Sequence, residues 1–224
     1  GADQLAVIMI GLTNYYQINN SSCIKDLLLK LGHYLVAVQY GNENTSPYHA
    51  FLSWKNVWHA WGNMQAYALL YTGRIFQNTQ FINAGLMEVK HFYPFCIEQN
   101  FFNEFRLIRN NDSLILHDLH KFPQISYGIR PMVFASLEAY NITGDETYAI
   151  LAGRLATWYF GNNPANQVMY DHLTGRAFDG INTASNINYN SGAESTIETL
   201  LSIQAIESNP VSKQIVMEHC KNPI

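Results

Sequence analysis

Charge is scarce in this sequence. Only 13% of the 224 residues are Asp, Glu, Lys or Arg, and the formal net charge is −4. A nucleic-acid partner needs a clustered basic surface, so none is expected. Cysteine is scarce as well. Cys23, Cys96 and Cys220 are odd in number and widely spaced, which gives neither a disulfide framework nor a paired metal pattern. Reduced thiols suit a cytoplasmic location, and no metal or other cofactor is expected. No apolar run reaches the length needed to cross a bilayer, and the start lacks the charged-then-apolar pattern of a secretion signal, so no membrane partner is expected. A glycine-rich phosphate loop, a G-x-S-x-G elbow and a Cys–His pairing are all missing, which removes nucleotide-dependent and serine-hydrolase chemistry.

What the chain does have is hydrophobic content of 48%, enough for one sizeable core, and four stretches that read as pairs of antiparallel helices. The clearest runs from Arg130 to Gly161. One apolar stripe (Val133, Phe134, Leu137, Tyr140) breaks at Thr143-Gly144-Asp145, and a second follows (Tyr148, Leu151, Leu155, Trp158) at the spacing of a helix face. Gly144 suits the left-handed position after a helix, and Asp145 suits the next N-cap. A first pair carries Leu5, Ile8, Met9 and Leu12, then Ile24 to Val38 after a polar break at Asn19–Ser22. Another is expected from about Trp58 to Ile97 with its turn near Thr72-Gly73, and the last begins at Ala193 and turns at Ser208-Asn209-Pro210. Hairpins of this kind must stack to bury their apolar faces. The expected fold is therefore all-α, with repeated hairpins in one domain over 1–224. The chain starts at Gly1 without methionine and enters helical pattern at once, so this domain is read as one that can close a longer polypeptide.

The connections between pairs, about Gly41–Asn56, Phe102–Ser126 and Gly161–Ser191, exceed the usual helix–helix loop of about 2–8 residues. They carry too many aromatics for disorder. All three are expected to meet on one rim of the helical stack. The third supplies Tyr170, Asp171, Asp179 and Asn190 and leads into Glu194, a carboxylate in the first turn of an inner helix. Helix-dipole stabilisation explains a carboxylate there, but a cavity-facing one beside aromatics also suits acid–base work on sugars. The second supplies His117, Asp118, His120, Tyr127 and Arg130, whose spacing matches no zinc pattern. The first supplies His49, Trp54, Trp58, His59 and Trp61, and tryptophans at a cavity mouth can stack on sugar rings as readily as they fill a core.

Several runs resemble a known family: Tyr127-Gly128-Ile129-Arg130-Pro131-Met132-Val133, Tyr140-Asn141-Ile142-Thr143-Gly144-Asp145-Glu146, Trp158-Tyr159-Phe160-Gly161-Asn162-Asn163, the Tyr170–Gly180 loop, and Asn190-Ser191-Gly192-Ala193-Glu194-Ser195-Thr196. They are similar to α/α-toroid proteins of the six-hairpin glycosidase-like group, some of which are appended to glycosyltransferases. The resemblance covers about Tyr127–Gln204 and is architectural before that. It implies an α/α toroid, complete or incomplete, and a carbohydrate-related role. Ser191 stands where the family pattern has Gln, and Arg130 stands where it has Gln before Pro131. Four hairpins fall short of six, so completion of the ring by a missing N-terminal region or by a second copy in a homo-oligomer is expected.

The leading expectation is a glycoside hydrolase acting on a glycan or oligosaccharide. Glu194 would be general acid or base with Asp179, Asp171 or Asp118 as the partner carboxylate. Tyr127, Arg130, Trp58, Tyr170, His117 and Asn190 would bind the sugar. A non-catalytic glycan-binding domain, and a lyase or epimerase using Tyr127 or His117 beside Arg130, are the alternatives.

Overall fold

The computed structural model describes residues 1–110 and 113–221. Its helices form four antiparallel pairs: α1 (Ala2–Asn19) with α2 (Ser22–Val36), α3 (Gln65–Phe76) with α4 (Thr79–Met87), α6 (Ile129–Thr143) with α7 (Glu146–Ala156), and α8 (Ala193–Glu207) with α9 (Pro210–Lys221). Helix α4 runs on through a π-turn (Glu88–Phe92) into α5 (Tyr93–Glu98). Helices α1, α3, α6 and α8 pack side by side in that order as an inner layer, with α2, α4, α7 and α9 outside them.

The caps expected at Gly144 and Asp145 are present. Gly144 has φ 70°, and the Asp145 carboxylate accepts from the Thr147 N–H, an arrangement that stabilises a helix start by about 1 kcal/mol. At the last turn, Asn209 Oδ1 accepts from the Ser212 N–H at 2.9 Å. The second turn lies elsewhere than expected. Thr72 and Gly73 are buried inside α3, and the chain reverses at Gln77, with φ 53°, and Asn78, which caps α4. Gly73 is a packing residue there: a Cβ on it would meet the Ile82 side chain at 2.9 Å.

The all-α expectation is overturned. The described residues include ten strands in four sheets, so the class is mixed α and β. The strands occupy the long connections. The first holds β1 (Gln39–Asn42), β2 (Thr45–Phe51) and β3 (Val57–His59). The second holds β4 (Glu104–Asn110), β5 (Ser113–His120) and β6 (Gln124–Ile125). The third holds β7 (Tyr170–Asp171), β8 (Arg176–Ala177), β9 (Gly180–Thr183) and β10 (Asn186–Asn188). In β4, buried Phe105 and Leu107 alternate with exposed Arg106 and Ile108. That period of two marks a half-buried strand.

These strands bring the connections together. Strand β3 pairs with β4, joining the first connection to the second, and β6 pairs with β9, joining the second to the third. Beneath the β3–β4 pair lies an aromatic core in which Trp58 stacks on Phe105 (5.6 Å between centroids, 7° between planes) and meets Phe92 and Phe102 edge-on. Each such pair adds about 0.5–1.5 kcal/mol beyond its buried area. Trp58 is 1% exposed. The sugar platform expected of it is therefore corrected to a core role, since neither ring face reaches solvent.

The end helices of the inner layer differ from its middle. Helix α8 buries Ser195, Glu198, Thr199 and Ser202 while exposing Ile197, Leu200 and Leu201, and α1 exposes Val7, Ile8, Tyr15 and Ile18. No helix among the described residues is long and apolar enough to cross a membrane.

Candidate functional site at the rim of the inner helices

The inner helices begin at the rim where the connections meet, and their first turns carry ionisable groups. Asp3 stands in the first turn of α1, Arg130 in that of α6, and Glu194 and Glu198 in the first two turns of α8. Between them come His59, at the end of β3, and Tyr127, in the 3-10 turn Ser126–Gly128 that leads into α6. That turn is held firmly. The Ser126 N–H donates to Asp179 O at 3.0 Å, its hydroxyl donates to Phe178 O, and the Tyr159 hydroxyl donates to Ser126 O. The Asn63 amide donates to Gly128 O, linking it to the segment that carries His59.

Arg130 and Glu198 form a hydrogen-bonded ion pair, their side chains 13% and 11% exposed. Burial pushes the Glu198 carboxyl up, and the Arg130 guanidinium pulls it back only in part. Tyr127 is half-buried. Burial raises its phenol, the Glu198 charge adds to this, Arg130 opposes it, and Glu194 and Asp3 add smaller pushes. The charges of Glu198, Arg130, Glu194 and Asp3 thus all act on the Tyr127 phenol, which stays neutral at pH 7.

His59 Nε2 lies 3.5 Å from Asp3 Oδ2. Desolvation lowers the imidazole, while Asp3 and Glu104 raise it in part, so the ring is neutral at pH 7 and the contact is not an ion pair there. Gly62 permits the approach, because a Cβ on it would meet the His59 ring at 2.3 Å and the Asp3 side chain at 2.7 Å. Trp61 stacks on the other side of the imidazole (4.3 Å, 17°) and is 41% exposed, presenting indole surface to solvent. Across the sheet, His59 registers with Glu104 and Glu104 with His120, whose Nδ1 is 3.2 Å from the carboxylate.

The expected site residues divide accordingly. Tyr127, Arg130 and Glu194 belong to the cluster, and Glu194 is exposed. Asp179 sits beside them but is committed: its Oδ1 accepts from the Gly192 N–H (3.1 Å) and the Ser195 hydroxyl (2.5 Å), capping the start of α8. Asp171 forms a surface turn, accepting from the Thr174 hydroxyl and the Leu173 N–H, and those bonds hold its carboxyl below the usual range. Asp118 pairs with its neighbour His117 (2.8 Å) on β5, both about half exposed. Tyr170 packs edge-on to Phe160 against the core. Asn190 is exposed, and its carbonyl accepts from the Asp179 N–H.

Asp3, His59, Trp61 and Glu198 complete the cluster without standing among the chosen residues. For Asp3 the available signal was positional: it occupies the same first-turn place in α1 that Glu194 occupies in α8. Among the described residues no group of three His, Cys, Asp or Glu is arranged to hold a metal ion. Two sizeable cavities lie away from this cluster, one of about 370 Å³ beside Lys90, Tyr148 and Arg154 and one of about 850 Å³ between β1, β2 and β5.

No protein-family model matches this chain, and no curated protein matches it in sequence. Among solved structures it is similar to a cellobiose 2-epimerase from Bacillus thermoamylovorans, with a TM-score of 0.60 and 11% identity over 97% of this chain and 59% of that one. The chain thus spans 59% of the length of that epimerase. At this identity the likeness is one of fold: helical pairs whose long connections are built as small sheets.

Proposed function

We propose that this chain processes sugars at the rim cluster, by proton transfer at a sugar carbon next to a carbonyl, the chemistry of epimerases and isomerases. The observation that carries the proposal is the division among carboxylates. Asp179, Asp171 and Asp118 are each engaged in a local contact, so the opposed pair that hydrolysis needs is not supplied by them. Glu194 is exposed, Tyr127 is a neutral phenol that feels its charge, and Arg130 is held by Glu198. The epimerase likeness adds support at the level of fold.

In this reading Glu194 takes the proton from C2 of an open-chain aldose. The C–H electron pair becomes the double bond of an enediolate, and the negative charge moves to O1 beside Arg130, a fixed cation in a partly desolvated place. Tyr127 returns a proton to C2 from the other face and is then reprotonated by Glu194 through solvent. Trp61 offers an apolar face for the ring of a second sugar unit, and the Asp3–His59 pair holds Trp61 in position.

Hydrolysis by Glu194 with Glu198 is the second reading. Its support is that burial raises the Glu198 carboxyl, as a general acid requires. Arg130 counts against it by favouring the ionised form. Completion of the ring by a preceding segment or a second copy belongs to the same proposal, and the exposed apolar side chains of α1 and α8 support it.

Incubation with cellobiose and other reducing disaccharides in D2O, followed by NMR, tests the proposal. Deuterium at C2 together with a new epimer is expected, and both should be lost in Glu194→Gln and Tyr127→Phe. Release of monosaccharides would transfer the assignment to hydrolysis. Calorimetric binding with neither product would leave a glycan-binding module.

A further inference from the structure

Below the rim cluster, adjoining faces of α3 and α6 carry a continuous ladder of aromatic rings and cations. The Arg130 guanidinium lies 5.1 Å from the Phe134 ring centre, Phe134 meets Tyr67 edge-on at 5.5 Å, and Tyr67 stacks on Tyr71 at 5.8 Å with 10° between planes. Arg74 closes the ladder, 5.6 Å from the Tyr71 ring, and its Nε donates to Glu138 at 2.5 Å. The spacing in each helix is that of a single face: Tyr67, Tyr71 and Arg74 at i, i+4 and i+7, and Arg130, Phe134 and Glu138 at i, i+4 and i+8. Eight residues of helical rise make this face about 12 Å long.

These side chains form the edge of the core: Phe134 and Tyr67 pack against it without being closed off. Phe134, Tyr67 and Tyr71 are each only partly buried, whereas the opposite side of α3 (Ala66, Leu69, Leu70) is closed off completely. A cavity of about 260 Å³ opens beside Tyr67, Phe134, Glu138 and Asn141 and is bounded on the α8 side by Ser208 and Asn209. Polar groups flank the rings throughout. Gln17 donates to the Tyr71 hydroxyl, which donates to Asn14, and Asn141 donates to Glu138 at 3.4 Å. Burial raises the Tyr67 phenol to about 12, keeping it a neutral donor and acceptor. Apolar ring faces bordered by carboxylate, amide and phenol groups match a pyranose, which has an apolar C–H face and a rim of hydroxyls.

We propose that the face from Phe134 through Tyr67 and Tyr71 to Arg74 and Glu138 is an extended subsite for a linear oligosaccharide whose reacting end lies at the Arg130–Glu194 rim. The proposal rests on the sugar-processing reading of that rim and adds a length requirement to it. Successive sugar units stack along the ladder, and the 260 Å³ cavity receives the distal unit. Arg74 and Glu138 satisfy each other in this structure and turn to the hydroxyls at the far end of a bound chain.

Calorimetry with linear glucose and mannose oligosaccharides of one to six units, α- and β-linked, tests the length requirement. Affinity should rise about tenfold for each unit stacked on the ladder, the scale of one good aromatic contact. Tyr67→Ala should abolish most of that rise, and Tyr67→Phe, which keeps the ring, should retain it and shows that the site still folds. Wild-type binding of disaccharides as tight as that of hexasaccharides would overturn the extended subsite while leaving the rim chemistry standing. Failure of every oligosaccharide to bind, alongside C2 deuteration of disaccharides, would overturn it in the same way. Failure of binding and deuteration together would overturn the sugar reading itself.

Discussion

Glu88 and Glu198 are both withdrawn from water, and comparing them separates the outer helices of this molecule from the rim of its inner ones. Glu88 sits in the π-turn of the second outer helix, 1% exposed. Its Oε1 accepts from the Phe51 N–H at 2.7 Å and its Oε2 from the Tyr93 hydroxyl at 3.3 Å. Among the described residues no ion pair reaches it, and burial raises its carboxyl to about 8, so at pH 7 it is a neutral hydrogen-bonding strut between β2 and the helix. Glu198 instead faces Arg130 at the rim and keeps a charged partner there. Where the protein only needs an acceptor it holds a neutral acid. Where it holds a buried guanidinium it also holds an ion pair, and the cost of desolvating two charges is expected at a site that works by electrostatics.

The sharpest way to break this comparison is Glu198→Ala. Removing one partner leaves Arg130 uncompensated, and a stability loss of about 3–5 kcal/mol is expected in urea denaturation. The double replacement Arg130→Met with Glu198→Leu should regain most of that stability, since apolar side chains can fill the space of a buried pair, yet it should show no C2 deuteration. A single-mutant loss no larger than that of an exposed residue would mean that the pair is solvated, and the contrast with Glu88 would disappear.

The second test addresses Glu88 through pH. The folded protein holds this proton up to about pH 8, whereas the unfolded chain releases it near the ordinary carboxylate value of 4.5. The folded state therefore binds more protons across that window, and stability falls as pH rises through it, by up to about 1.4 kcal/mol per pH unit. His59 and His91 act in the opposite sense, because desolvation lowers both and the folded state releases their protons first. Denaturation curves from pH 5 to 9 should therefore be compared between wild type and Glu88→Gln. The difference between them should slope with pH, and parallel curves would mean that Glu88 is ionised in the folded protein.

The parts of the fold visible in the sequence are those with a local physical cause. Gly144, Asp145, Asn209 and Pro210 act through chemistry within three residues of themselves, and the helix ends fell where they indicate. The strands were hidden because each is short and its partner is remote: β3 needs β4, nearly fifty residues away, before the alternation of Phe105 and Leu107 gains meaning. The same distance hid Trp58, whose aromatic partners come from the π-turn and from β4. Near the rim, the placement of Glu194, Tyr127 and Arg130 at helix starts could be counted along the chain. The roles of Asp179 and Glu198 could not be read this way, since a carboxylate's partner 16 or 68 residues away leaves no trace in its own neighbourhood.

The finest distinction concerns Asp179 and Glu194, two carboxylates at the same end of α8. Asp179 accepts from the backbone of Gly192 and the hydroxyl of Ser195, which is capping supplied from a neighbouring strand segment rather than from the helix itself. Loss of a cap costs about 1 kcal/mol, and Asn performs as well as Asp in that role. Asp179→Ala should therefore lower stability by about 1 kcal/mol, and Asp179→Asn should recover most of it with C2 deuteration intact. Glu194→Gln should do the reverse, leaving the urea midpoint where it was while deuteration is lost. Loss of deuteration in Asp179→Asn at full stability would show that the Asp179 charge takes part in the chemistry, which would restore a second working carboxylate to the rim and favour hydrolysis over epimerisation.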